Sequence, residues 1–287
     1  MLMPMGHVLP SPESGRLTAS RAWRSLAPAV LLTLGLGACA GDQSKVTRPV
    51  EPVAESQDVA SLVRLADGLH ERGELTTAIA LYQRAAASSE DARELVLLGR
   101  ALQEAGANER AAGAFRRALS RDPENPDALL GLGVAYLSLG QIDKSIQYLQ
   151  ELVNPGKGSD TVRYAALGAA LDIAGRHDQA VAIYTAGLEV VPDDLDLKSN
   201  LALSYAFYDR HVEAINLMID VTDALEARRS HHRNLVLVLA LAGQDRDAVA
   251  TGLRLLGEKE TQDVMAQAAS VRQLSNGADR ARAIGLS

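Results

Sequence analysis

From residue 59 onward the apolar residues fall at i, i+3, i+4 and i+7, the spacing of one helical face, and the stripes come in pairs. The second stripe of each pair opens on a small residue: Ala78, Ala111, Ser145, Ala180, Ala214 and Ala248, separated by 33, 34, 35, 34 and 34 positions. Twelve residues upstream of each lies another small or β-branched residue: Ala66, Gly99, Gly133, Gly168, Ala202 and Val236. A leucine precedes every one, and Leu69, Leu102, Tyr136, Leu171, Tyr205 and Leu239 follow three positions later. Between the two stripes stand Gly73, Gly106, Gly140, Gly175 and Gly243, with Asp209 at the equivalent point of the fifth unit. A glycine there suits a left-handed helix terminus, and small residues where the stripes meet let two helices approach closely. The pattern predicts six helix-turn-helix units.

A unit of about 34 residues with these small and large positions resembles the tetratricopeptide repeat. The second unit carries the likeness most fully, in Leu95, Leu98, Gly99, Leu102, Gly106, Ala111, Phe115, Ala118 and Pro123. The third and fourth follow with Tyr136, Gly168, Ala180, Tyr184 and Pro192. The fifth lacks the turn glycine, the sixth has His232 where a large apolar residue is usual, and no unit carries the family's frequent tryptophan. The resemblance implies an all-α fold, a right-handed α-solenoid of about six tetratricopeptide repeats over 59–275. Thr261 to Leu274 read as a C-terminal capping helix, with Val264, Ala268, Val271 and Leu274 toward the stack. Residues 276–287 read as a loose tail.

In tetratricopeptide domains the first helix of each repeat lines the concave face. The corresponding positions are polar in the second unit (Arg93, Arg100, Gln103 and Glu104, around Val96) and apolar afterwards. Leu130, Val134 and Leu137 come from the third unit, Val162, Ala165 and Ile173 from the fourth, Leu203 and Phe207 from the fifth, Leu237 and Leu241 from the sixth. Helices apolar nearly all round must bury both faces, and a long exposed apolar stripe marks a binding site. Leu130, Val134, Leu137, Val162, Ile173, Leu203, Phe207, Leu237 and Leu241 are therefore expected to line a groove for a partner helix or peptide. The alternative is that tight curvature or the C-terminal helix already fills it.

Ahead of the repeats the pattern changes. Arg16, Arg21 and Arg24 precede an apolar run from Ala27 to Leu36, which is too short to span a bilayer. A positive segment, a short apolar segment and small residues at a cut site make a secretory signal. Leu36-Gly37-Ala38-Cys39 resembles a bacterial lipobox, and Cys39 is the single cysteine of the chain. The resemblance implies cleavage between Ala38 and Cys39 and lipidation of the Cys39 thiol. Residues 1–38 are then a lipoprotein signal peptide. Ala40, in place of the aspartate that resembles an inner-membrane retention signal, directs the expectation to the outer membrane, facing the periplasm. Residues 39–58 are the lipidated cysteine and a polar tether with Pro49 and Pro52, able to reach roughly 60 Å when fully extended.

Removing 1–38 takes three arginines and Glu13 from 29 basic and 36 acidic residues, leaving 26 and 35 and a formal charge of −9. An acidic chain without a basic stripe argues against nucleic acid as a partner. The membrane contact expected is the lipid alone. The chain after Cys39 holds no Gly-x-Ser-x-Gly, no phosphate-binding glycine loop and no HExxH. No enzyme activity, metal, cofactor or small-molecule substrate is expected. His177 and His211 share one offset in successive units; a shared metal site is conceivable, but solvated turn residues are the simpler reading. His231 and His232, beside Arg228, Arg229 and Arg233, fit either an acidic-partner contact or an irregular repeat junction.

A lipid anchor, a tether and about six repeats together resemble the tetratricopeptide lipoproteins of the Tad/Flp pilus assembly system (TadD-type). The sharpest part is Arg233-Asn234-Leu235-Val236-Leu237-Val238-Leu239-Ala240-Leu241-Ala242-Gly243, which looks like that family's final repeat. Ala268-Ala269 stand where the family has an aromatic pair. The resemblance implies an outer-membrane scaffold that binds pilus or secretin components and assists their assembly or localisation. Pilotins, β-barrel assembly subunits and adaptors for cell-wall enzymes share the architecture, and a regulatory subunit of an enzyme complex is a further alternative.

Overall fold

The computed structural model describes residues 58–153 and 160–284. The signal peptide, Ala38, Cys39 and all but the last residue of the tether lie outside the described residues. Within them the chain forms fourteen helices and no strand. Twelve are paired: α1 (Val59–Glu71) with α2 (Leu75–Ser88), α3 (Ala92–Glu104) with α4 (Asn108–Arg121), α5 (Pro126–Ser138) with α6 (Ile142–Gln150). The series continues with α7 (Thr161–Ile173) and α8 (His177–Val190), α9 (Leu195–Phe207) and α10 (His211–Asp223), α11 (Arg229–Leu241) and α12 (Asp245–Leu255). Two single helices follow, α13 (Glu258–Arg272) and α14 (Gly277–Ile284).

The turn within each pair is built the same way six times. The first residue past the turn donates its backbone N–H to the carbonyl five positions back: Glu74 to Leu69, Ala107 to Leu102, Gln141 to Tyr136, Arg176 to Leu171, Arg210 to Tyr205 and Gln244 to Leu239. That 6→1 bond needs a left-handed residue just before its donor. Gly73, Gly106, Gly140, Gly175 and Gly243 supply it with φ of 69° to 78°, and Asp209 supplies it at 59° as the lone non-glycine with positive φ among the described residues. The other ends of the first helices are capped by side chains. Asp91, Asn125, Asp160 and Asp194 accept from backbone N–H groups of the first turns of α3, α5, α7 and α9.

Packing within a pair sets a large residue of the second helix onto a small one of the first. The fully buried ring of Tyr184 lies so close to Gly168 that a Cβ there would stand 2.3 Å from it. Phe115 crosses Gly99 in the same manner. Side-chain bonds between adjacent units tie the stack along its length. Arg176 pairs with Asp143 at 3.3 Å, Thr161 donates to Asp194 at 2.5 Å, and His70 bonds Glu104. Consecutive first helices pack side by side from α3 to α11 while the second helices splay outward, so the first helices form the inner layer of the curve.

The leucines ahead of the small positions are buried in units two to six, at 0 to 6% exposure, but Leu65 is 52% exposed. No described helix precedes α1 to cover it. At the other end α13 covers α11 and α12 with Val264, Ala268 and Val271 fully buried, as a terminal cap must. The sequence from Leu235 to Leu241 is buried without interruption, which fits a helix apolar all round that is enclosed by α9, α10, α12 and α13. The expected loose tail at 276–287 is not loose through 284: α14 folds back against α7, α9 and α13.

Candidate protein-binding face

The inner layer divides into an open half and a covered half. On α3 the exposed or half-buried residues other than Leu97 are polar, and several are already engaged. Arg100 pairs with Asp127 at 3.0 Å, Gln103 donates to the Gly131 carbonyl at 3.0 Å, and Glu104 bonds His70. Val96 beneath them is buried. On α5, Leu130, Val134 and Leu137 are half-buried, and Val162 at the start of α7 is 55% exposed. These four of the nine predicted groove residues offer an apolar strip beside the polar wall of α3.

The other five do not line an open groove. Ile173, Leu203, Phe207, Leu237 and Leu241 are buried at 0 to 8% exposure and share one hydrophobic cluster with Ala281 of α14. Curvature brings α7, α9 and α11 together, and α14 lies across α7 and α9 on the inner side. Arg280 donates to the Phe207 carbonyl (3.3 Å) and to Asp209 Oδ1 (2.8 Å), and Arg282 donates to the Ile173 carbonyl (3.0 Å). The C-terminal carbonyls of α7 and α9 are unsatisfied within their own helices and carry negative partial charge, so cations suit them. A substitution such as Leu203→Glu would bury a charge and is no probe of the inner face.

Next to α14 is a polar cluster that sequence inspection missed. Asp172 is fully buried; its Oδ1 accepts from His177 Nδ1 (2.7 Å) and Ser204 Oγ (2.8 Å), and its Oδ2 from Tyr184 Oη (3.2 Å). Burial first, and then the Asp172 carboxylate, push the Tyr184 phenol well above its ordinary pKa, so it remains an O–H donor. His177 is 5% exposed and not a solvated turn residue, because Tyr208, Phe207 and Gly277 enclose its ring. Ser204 and His177 bond the same carboxylate instead of each other, so the cluster contains no nucleophile activated by a base. It is an internal tie between α7, α8 and α9. The signal available was a charge, Asp172, in the position that Leu137 fills one unit earlier.

The remaining candidates resolve into structural contacts. His211 lies 3.6 Å from Asp209, and no group of three or more metal-ligating side chains occurs among the described residues. His231 accepts from the Arg228 backbone N–H at Nδ1 (3.1 Å), which leaves the proton on Nε2 to donate to Asp196 (2.9 Å). Arg228 also pairs with Asp196, Arg229 with Glu260 and the Leu256 carbonyl, and Arg233 with Gln267. Of the two readings of this basic cluster, the repeat junction is the one the contacts fit. Burial raises the Asp196 carboxyl, but bonds from His231 and Arg228 outweigh it and hold the group below the usual carboxylate range.

With the geometry in place, residues 96–160 match the tetratricopeptide repeat family. The fold is a tetratricopeptide-type solenoid. A solved structure of PilW, described as a widely conserved type IV pilus biogenesis factor, superposes with a TM-score of 0.64 at 17% identity, over 73% of this chain and 99% of that one. PilF of Pseudomonas aeruginosa superposes with a TM-score of 0.57 at 17% identity, over 73% and 97%. A tetratricopeptide repeat protein of Parabacteroides merdae gives 0.62 at 15% identity, over 80% and 93%. No curated protein matches the chain by sequence.

Proposed function

We propose that this protein is a scaffold held at the outer membrane by a lipid on Cys39, facing the periplasm, which binds protein partners along its inner layer and assists assembly of a Tad/Flp-type pilus or its secretin. The observation that carries the binding role is the open apolar strip of Leu130, Val134, Leu137 and Val162 beside the polar wall of α3. An extended peptide or helix can bury its apolar residues on that strip and meet hydrogen-bonding groups at the edge. The protein acts by holding partners together, and its buried Asp172 cluster has no access to a substrate. The pilus assignment draws on the likeness to PilW, a pilus biogenesis factor, and on the lipobox and last-repeat resemblance to the Tad/Flp lipoproteins.

Two experiments test the two halves of this reading. Cys39→Ser should release the repeats from the membrane fraction while leaving helicity unchanged, since Cys39 precedes the repeats in the sequence; retention after a salt wash refutes the anchor. A photo-crosslinker at Val134, activated in intact cells, should yield a secretin or pilus component. Recovery of a β-barrel assembly complex or a cell-wall enzyme instead overturns the pilus assignment.

A further inference from the structure

We propose that α14 is a built-in stand-in for a partner: the inner face across the ends of α7 and α9 is a docking site for a short basic helix of another protein, and α14 occupies it until displaced. This rests on the reading of the inner layer as the partner face. An eight-residue helix is not stable alone in water, so α14 is helical because of the surface beneath it. Ala281 is its one fully enclosed side chain, and it hangs on a four-residue link from α13. Elements with so little burial open at low cost.

The surface beneath is built for a cation-bearing helix. It presents the carbonyls of Ile173 and Phe207 and the carboxylate of Asp209, all taken by Arg280 and Arg282. Asp209 is the informative group. Every other repeat places glycine at this left-handed turn, whereas here a residue less suited to positive φ stands in its place, and its side chain holds Arg280. At the start of α14 the approach is so close that a Cβ on Gly277 would lie 2.5 Å from His177 Nε2. The seated helix therefore reads as a small residue, then arginine three positions on, alanine, and arginine. A partner helix with that spacing finds the same carbonyls, the same carboxylate and the same clearance over His177. An acidic protein gains further from a basic ligand by attraction at a distance.

The test uses the full chain and a fluorescent synthetic peptide with the sequence of residues 274–284. Wild-type protein should bind the peptide at least about tenfold more weakly than Arg280→Ala/Arg282→Ala protein, because a site occupied in nine of ten molecules loses tenfold in apparent affinity. A peptide lacking both arginines should bind neither. Equal binding to both proteins, or none to the double variant, overturns the proposal. Amide exchange on the wild-type chain gives a second decision that needs no variant. Residues 278–284 should exchange well before α7 and α9, and exchange only together with α9 would make α14 a permanent cap and end the idea. Neither failure touches the open strip on α5, so the crosslinking result at Val134 stands or falls separately.

Discussion

Asp172→Ala is the sharpest test of how the centre of the solenoid is held. The substitution removes the acceptor of three donors, His177 Nδ1–H, Ser204 Oγ–H and Tyr184 Oη–H, in a region closed to water. Each buried donor left without a partner costs about 1–3 kcal/mol. The Ser204 hydroxyl can turn to a carbonyl one helical turn back, and neighbouring losses do not add. The expected destabilisation is therefore about 3–5 kcal/mol. Asp172→Asn keeps an oxygen for His177 and Ser204 and presents an amide to Tyr184, whose own proton then lacks an acceptor, so about 1–2 kcal/mol is expected. Ser204→Ala should cost about 1 kcal/mol. The single tryptophan, Trp23, precedes Cys39, so urea unfolding is best followed by far-ultraviolet circular dichroism. Because a solenoid can open piecewise, amide exchange in α7, α8 and α9 should accompany it. Asp172→Ala costing under about 1 kcal/mol, or costing no more than Asp172→Asn, would refute the tie.

Two helical glycines should respond to alanine with opposite signs. Gly168→Ala drives a Cβ into Tyr184 and should destabilise by about 1–3 kcal/mol despite the better helix propensity, whereas Gly113→Ala meets nothing within 4 Å and should stabilise by up to about 1 kcal/mol; paired urea titrations decide. Asp196 is held below its ordinary pKa, so the stability it contributes is present above the unfolded value, near pH 4, and is lost as pH falls through the lower folded value. Thermal melts of wild type and Asp196→Asn should differ at pH 7, and the difference should shrink as the pH falls below about 4. Val162→Glu should leave the melting curve nearly unchanged, since Val162 is 55% exposed and joins no hydrophobic cluster among the described residues, and should abolish partner recovery by the crosslinker at Val134; retained recovery removes the strip from the binding face.

What could be read from the sequence was the part written in local chemistry. A left-handed turn needs a residue tolerant of positive φ, and a close helix crossing needs a residue without bulk. Both requirements leave marks at fixed spacing, so Gly73, Gly106, Gly140, Gly175 and Gly243 located the turns, and Asp209 could be placed among them although it is not glycine. Val264, Ala268 and Val271 identified the cap for the same reason, since one apolar stripe has one face to bury. The helix α14 left no such mark. Its sequence, Gly-Ala-Asp-Arg-Ala-Arg-Ala-Ile, buries one alanine completely and owes its docking to charges on carbonyls that no pattern within the segment reveals.

That omission accounts for the other errors at the candidate site. His177 follows a turn glycine and would be solvated if nothing lay above it; Gly277 and the Tyr208 ring do. Ile173, Leu203 and Phe207 have the apolar character of a binding groove because they are covered from within the chain, in one hydrophobic cluster that joins α7, α9 and α11 with Ala281 of α14. Apolar positions on the inner layer report that something covers them, and whether the cover belongs to the chain or to another protein is decided by distant residues. On α5 and at the start of α7 no described segment arrives, and Val134 and Val162 join no hydrophobic cluster among the described residues. The same face is thus read twice, once occupied and once vacant. The occupied half gives the dimensions of a ligand, a single helix lying across two repeats with cations at the helix ends. The vacant half offers an apolar strip and hydrogen-bonding side chains in place of carbonyl ends, and so selects for a different segment. A partner that engages both must bring one apolar element for α5 and one basic helix able to compete with α14.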